Sequence, residues 1–118
     1  FKRQCQQCHQ ADAEGIPGVY PPLSKSEWVS GLEDRIIKVL LLGMAGPITV
    51  EGQEFNGNMP AVGMWSDKDI AAVLTYVRAN FGNNAPAVPE EKVKTIRKEL
   101  GDRHAPWTPA ELLKIHPF

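Results

Sequence analysis

The five residues CQQCH, Cys5 to His9, hold the only two cysteines of the 118-residue chain. All thiol chemistry therefore falls to one motif, and three chemistries compete for it. A dithiol redox pair needs its C-x-x-C at a strand-to-helix junction within a βαβ pattern. No β-type run precedes Cys5, and no alternating strand–helix pattern follows. A structural zinc site needs four ligands. Cys5, Cys8 and His9 supply at most three, and the adjacent Cys8 and His9 do not readily turn to one ion. The other histidines, His104 and His116, lie far away in a polar tail and read as surface residues. The third chemistry is haem attachment, which C-x-x-C-H signals directly. Two thiols three residues apart on a helical turn can each reach one vinyl group, and the histidine that follows points its ring at the iron. This reading is favoured.

A six-coordinate electron-transfer haem takes a thioether or a second imidazole opposite its histidine. The chain has three methionines. Met44 ends an apolar helix and reads as core packing, while Met64 lies two residues before a helix cap. Met59 sits in NGNMPAVG, a polar, glycine-containing segment read as a loop, where a methionine has little reason to be core. Pro60 behind it fixes the local backbone and removes a competing N–H. Met59 is the expected distal ligand, and Met64 is its nearest rival.

The rest of the chain reads as helices joined by long irregular segments. Beyond the turn at Cys5 to Ala11, EDRIIKVLLLG places Ile36, Ile37, Leu40 and Leu41 on one face, with Gly43 at the expected C-terminal stop. SDKDIAAVLTYVRANFG is capped by Ser66 and carries Ile70, Val73, Leu74, Val77 and Phe81 at buried-stripe spacing up to Gly82. PEEKVKTIRKELG starts with Pro89 at its first helical position and ends at Gly101. TPAELLKI signals a final short helix with Thr108 as cap and Glu111 three residues on. Within Gly46 to Met64, a small hairpin is expected from Ile48–Val50 against Gln53–Phe55 around Glu51-Gly52. Segments as irregular as 14–28 and 46–64 make sense if they wrap a large apolar ligand that supplies the core they lack. NNAPAVP, Asn83 to Pro89, reads as a linker.

Composition narrows the partners. A net charge of −1 gives no electrostatic case for nucleic acid or a membrane surface. The greasiest run, Ile36 to Met44, contains a lysine and is far too short to span a bilayer. The chain opens on Phe1 without a leader, so removal of a leader or excision from a longer protein is expected.

CQQCHQADAEGIPGVYPPL, FNGNMPAVG and SDKDIAAVLTYVRANFG together resemble the class I c-type cytochromes. The likeness is closest to the bacterial monohaem domains found beside or fused to dehydrogenases and oxidases. It covers residues 1 to about 82, with the three motifs in the family's order. The resemblance implies an all-α cytochrome c fold, with three or more helices and long loops around one covalent haem c. A small hairpin near 48–55 and a helical extension over 83–118, packing on or linking from the haem domain, complete the expectation. Carried over by residue, Cys5 and Cys8 are the thioether cysteines, His9 the proximal ligand and Met59 the distal one. YPPL matches the family's Pro-x-Leu, so Pro21 would offer its carbonyl to the other nitrogen of His9. Val73 and Tyr76 match positions that cross the first helix, with Phe1 as aromatic partner.

The expected function is one-electron transfer, not catalysis, between a dehydrogenase or respiratory complex and a terminal acceptor. The alternative is a haem enzyme or gas sensor with an exchangeable distal ligand. The expected partners are redox proteins (dehydrogenase, oxidase or reductase), met at the exposed haem edge. Residues 1–82 carry 7 basic and 9 acidic side chains and residues 83–118 carry 6 and 5, so only modest charge steering is expected. The resemblance implies the periplasm or the outer face of the cytoplasmic membrane. Haem-shell candidates are Ile16, Val19, Leu23, Trp28, Leu40, Phe55, Val62, Leu74 and Val77. Trp28, Arg35 and Gln53 are candidate donors to the haem propionates.

Overall fold

The computed structural model describes residues 5–116; Phe1 lies outside them. Six helices and one hairpin follow in the order α1 (Gln6–His9), α2 (Glu27–Ser30), α3 (Glu33–Leu42), β1 (Met44–Val50), β2 (Gln53–Met59), α4 (Asp67–Ala79), α5 (Glu90–Leu100) and α6 (Pro109–Ile115). The all-α architecture with one small hairpin matches the expectation. Among the described residues, no helix is long and apolar enough to cross a membrane.

The helices form where their caps and stripes allow. The Ser66 hydroxyl accepts from the Asp69 N–H at 3.1 Å and opens α4. Ile70, Val73, Leu74 and Val77 then line its buried face. The Thr108–Glu111 pair forms a reciprocal capping box at α6, the arrangement that satisfies two otherwise unpaired N–H groups. Helix α5 begins at Glu90, with Pro89 at the cap rather than inside the first turn. The short α2 had no periodicity to announce it; Ser26, whose hydroxyl accepts from the Trp28 N–H, starts it.

The hairpin is longer than its sequence suggests. Glu51 and Gly52 both hold positive φ, 52° and 77°, as a two-residue turn that matches strand twist requires. The register pairs Ile48 with Phe55 as expected, then continues through Gly46 with Gly57 to Met44 with Met59. Met59 therefore ends a strand instead of sitting in a loop. The composition of QEFNGNM hides this, because Asn and Gly disfavour strands in isolation while cross-strand pairing decides the outcome.

The C-terminal third packs on the rest. Helix α5 lies against α3 and α4, and α6 against β1. Trp107, buried under the Arg103 guanidinium 3.7 Å above its ring, ties its backbone to both sides of Met44. Its N–H donates to the Gly43 carbonyl at 3.0 Å, and its carbonyl accepts from the Ala45 N–H at 2.8 Å. Residues 83–89 are held as firmly. The buried Asn83 amide donates to the Leu23 and Val77 carbonyls, and Arg78 donates to the Pro86 carbonyl at 3.0 Å.

His104 is exposed as expected, but His116 is half-buried and accepts from the Lys38 ammonium at 2.9 Å. An ammonium has no lone pair, so this contact requires neutral His116. Burial, and then the Lys38 charge, lower the His116 pKa from its ordinary 6.5. A lowered histidine pKa means that the unfolded chain binds the proton more readily. The stability His116 contributes is thus complete above pH 6.5 and lost as pH falls through its folded value. Urea unfolding of the wild type and of His116→Gln across this window is expected to show a shallower acid loss in the variant, since Gln accepts from Lys38 without titrating.

Candidate haem site

Two turns of chain bring the motif to the core. Helix α1 carries Cys5 and Cys8 half-buried and His9 buried at 7% exposure. The chain then winds back through residues 10–24. The Gly15 N–H donates to the His9 carbonyl at 2.9 Å, and Ile16 and Tyr20 bridge each other. The Leu23 and Ser24 N–H groups close the loop on the Ala13 carbonyl at 2.7 and 3.0 Å. This winding delivers the Pro21 carbonyl to His9 Nδ1 at 2.7 Å. A carbonyl can only accept, so Nδ1 carries the proton and Nε2 keeps its lone pair. Burial lowers the His9 pKa, with the Pro21 bond opposing it, and the ring is held neutral, as a metal ligand must be. Burial also pushes the Cys5 thiol up.

Gly15 is what lets the loop come so close. Its φ is +66°, and a Cβ there would meet the Tyr20 carbonyl oxygen and lie 2.7 Å from both the carbon and the oxygen of the Pro21 carbonyl. Gly15→Ala is therefore expected to cost about 2 kcal/mol or more, combining the left-handed penalty with a backbone clash. Urea unfolding of the holoprotein is the check, and an unchanged midpoint would refute this account.

Opposite His9, the inward side chains of the hairpin and of α3 and α4 close a cleft. One part, enclosing about 880 Å³ up to its open mouth, is lined by Cys5, Cys8, His9, Met44, Phe55 and Met59 among others. A contiguous part of about 670 Å³ reaches Trp28, Val73, Leu74 and Val77 beneath them. The lining is apolar apart from the motif and a few strand residues, and it suits a flat, largely hydrophobic group tethered at its mouth. Haem c fits this donor set. Among the described residues, no cluster of three or more His, Cys, Asp or Glu side chains could hold a bare metal ion.

The structure brings Cys5, Cys8, His9, Pro21, Trp28 and Met59 to this one cleft. Leu23, Leu40, Phe55, Val62, Leu74 and Val77 line it too, and Val19 stands at its rim, 53% exposed. Ile16 does not line it; its side chain is 38% exposed on the outside of the loop. Met64 is 82% exposed and also absent from the lining. The Trp28 indole N–H donates to the Thr49 carbonyl at 3.0 Å, so that donor is already engaged. Arg35 is buried with its guanidinium 5.2 Å from the Trp28 ring, and Gln53 is exposed at the hairpin turn. Neither lines the cleft. Val73 does, whereas Tyr76 faces outward with its ring edge-on to Phe81 at 5.7 Å. Met44 lines both parts of the cleft, although its sequence context read only as packing. The missed signal was its strand register with Met59.

A cleft closed by helices and a hairpin, with a C-x-x-C-H turn at its mouth, defines a c-type haem protein. The family model for cytochrome c matches residues 1–80, and the chain belongs to the cytochrome c family, as a class I c-type cytochrome carrying haem c through Cys5 and Cys8 and serving electron transfer. It is 39% identical over 107 residues to cytochrome c-552 of Thermus thermophilus, covering 82% of each chain. It is 30% identical over 100 residues to the gluconate 2-dehydrogenase cytochrome c subunit of Pantoea cypripedii, covering 80% of this chain and 22% of that one. It is 31% identical over 105 residues to the fructose dehydrogenase cytochrome subunit of Gluconobacter japonicus, covering 82% and 21%.

Proposed function

We propose that this chain relays single electrons with His9 and Met59 as the axial ligands of its haem, between a dehydrogenase or respiratory complex and a terminal acceptor. The observation that carries this reading is the placement of His9 and Met59 on one apolar cleft, with His9 locked by Pro21 in the tautomer that presents Nε2. When bound, the haem supplies the one-electron ferrous–ferric couple, which histidine–methionine ligation shifts to higher potential. The protein does the rest. The Pro21 carbonyl orients His9 and strengthens it as a donor. Cys5 and Cys8 tether the group at the mouth. Leu40, Val62, Leu74 and Val77 keep water from the iron's surroundings, which penalises the extra charge of the ferric state.

The partner class follows from the relatives, two of which are named as cytochrome subunits of sugar-acid and sugar dehydrogenases. Residues 83–118 belong to this reading as a C-terminal extension, whose helices α5 and α6 pack on α4 and β1. The periplasm or the outer face of the cytoplasmic membrane is its expected place. The visible spectrum of the holoprotein tests the ligand set. An oxidised sample is expected to show the near-red iron–sulfur charge-transfer band, and a reduced sample is expected to resist carbon monoxide. Loss of the band with ready carbon monoxide binding would favour an enzyme or gas sensor with an open distal site.

A further inference from the structure

The hairpin holds two methionines, not one, against the same cleft. Met44 and Met59 are direct cross-strand partners, so their side chains leave the sheet on the same face, with Cβ atoms about 5 Å apart. Both line both parts of the cleft that His9 enters. A methionine has three rotatable side-chain bonds and a soft sulfur, and thioethers suit haem iron. The Met44 backbone has a neighbour on both edges. It is paired to Met59 on one edge, while Trp107 clamps its neighbours Gly43 and Ala45 on the other. Met44, like Met59, is half-buried: each packs against the core on one side and lines the cleft on the other.

We propose that Met44 is a reserve distal ligand, which takes the iron when the Met59 thioether is removed. The inference rests on Met59 being the resident ligand. It assigns a role to the register of the hairpin: two interchangeable thioethers are presented at one position, so that loss of the first does not open the iron to exogenous ligands. The Trp107 clamp supports this by keeping β1 in place when the Met59 end of β2 is perturbed.

The test uses holoprotein with ¹³C-methyl methionine in four forms: wild type, Met44→Ala, Met59→Ala and the double variant. Each is read by the near-red band, by the shifted methyl resonance of an iron-bound methionine, and by carbon monoxide binding to the reduced state. The expected result is that Met44→Ala keeps the near-red band and the wild-type shifted methyl resonance, because Met59 stays on the iron. Met59→Ala keeps the band and a shifted methyl resonance at a new position, and only the double variant loses both and binds carbon monoxide readily. A Met59→Ala protein as open to carbon monoxide as the double variant would overturn the reserve role while leaving Met59 as resident ligand. A band lost in Met44→Ala, or a wild-type methyl resonance unmoved in Met59→Ala, would instead overturn the assignment of Met59 itself. Because the haem is held covalently by Cys5 and Cys8, its absorbance reports on each variant that matures, and circular dichroism confirms that the compared forms are folded.

Discussion

Replacing both Cys5 and Cys8 by alanine is expected to yield a chain with no covalent haem. Denatured protein would carry no haem stain on a gel, and the pyridine haemochrome assay would fall from one haem per chain to background. The two thiols are the only ones available, so no other residue can replace the thioether bonds. The effect extends to stability. Leu40, Phe55, Val62, Leu74 and Val77 line the cleft with apolar surface that a haem would cover. A tethered haem stays on the chain when it unfolds, but its apolar faces are buried against these walls only in the folded state, so losing it removes that burial. The double variant should therefore unfold at clearly lower urea, with weaker cooperativity in the segment 44–62. Single variants separate the two tethers, since each keeps one thioether and is expected to retain haem at reduced yield. Covalent haem in the double variant would refute the assignment of the tethers.

Exchanging Met59 for histidine is expected to have the second-largest effect. The position ends β2, is half-buried, and is followed by Pro60, which has no N–H to compete for the new ring. A second imidazole donates more strongly to ferric iron than a thioether does. The midpoint potential is expected to fall by on the order of 0.1–0.3 V, a fraction of the roughly 0.8 V over which axial ligands set haem potentials. The near-red band should vanish while the iron stays low-spin. Redox titration followed by absorbance reads both. An unchanged potential with an unchanged band would show that residue 59 does not reach the iron.

Much of this site was legible in the chain. CQQCH limited the thiol chemistry, and the Ser66 and Thr108 caps marked two helices, because each of these depends on residues a few positions apart; the Pro21 carbonyl was expected only from the resemblance of YPPL to the family's Pro-x-Leu. The stripe of Ile70, Val73, Leu74 and Val77 was equally plain, since helical periodicity is a local property. Met44 was not legible, because its importance depends on which residue of β2 lies across from it. Ile16, named for the shell, is not among the cleft-lining residues, because an apolar residue in a loop does not reveal which side the loop turns inward. Trp28 was named as a polar donor, but its N–H points to Thr49 on a strand 21 residues away. Trp107 drew no attention in a polar tail, although its backbone completes the edge of β1.

The sequence by itself determined the kind of cofactor and its tethers, the family, and the helical frame, because spacing along a chain is enough to specify a turn of helix, a cap or a pair of thiols. Only the tertiary structure decided that Met59 ends a strand, that it lines the cleft beside Met44, and that Trp107 and α6 pack on β1 while α5 packs on α3 and α4. Those outcomes hang on strand register and on backbone hydrogen bonds between distant segments, which depend on which surfaces meet rather than on which residues follow one another.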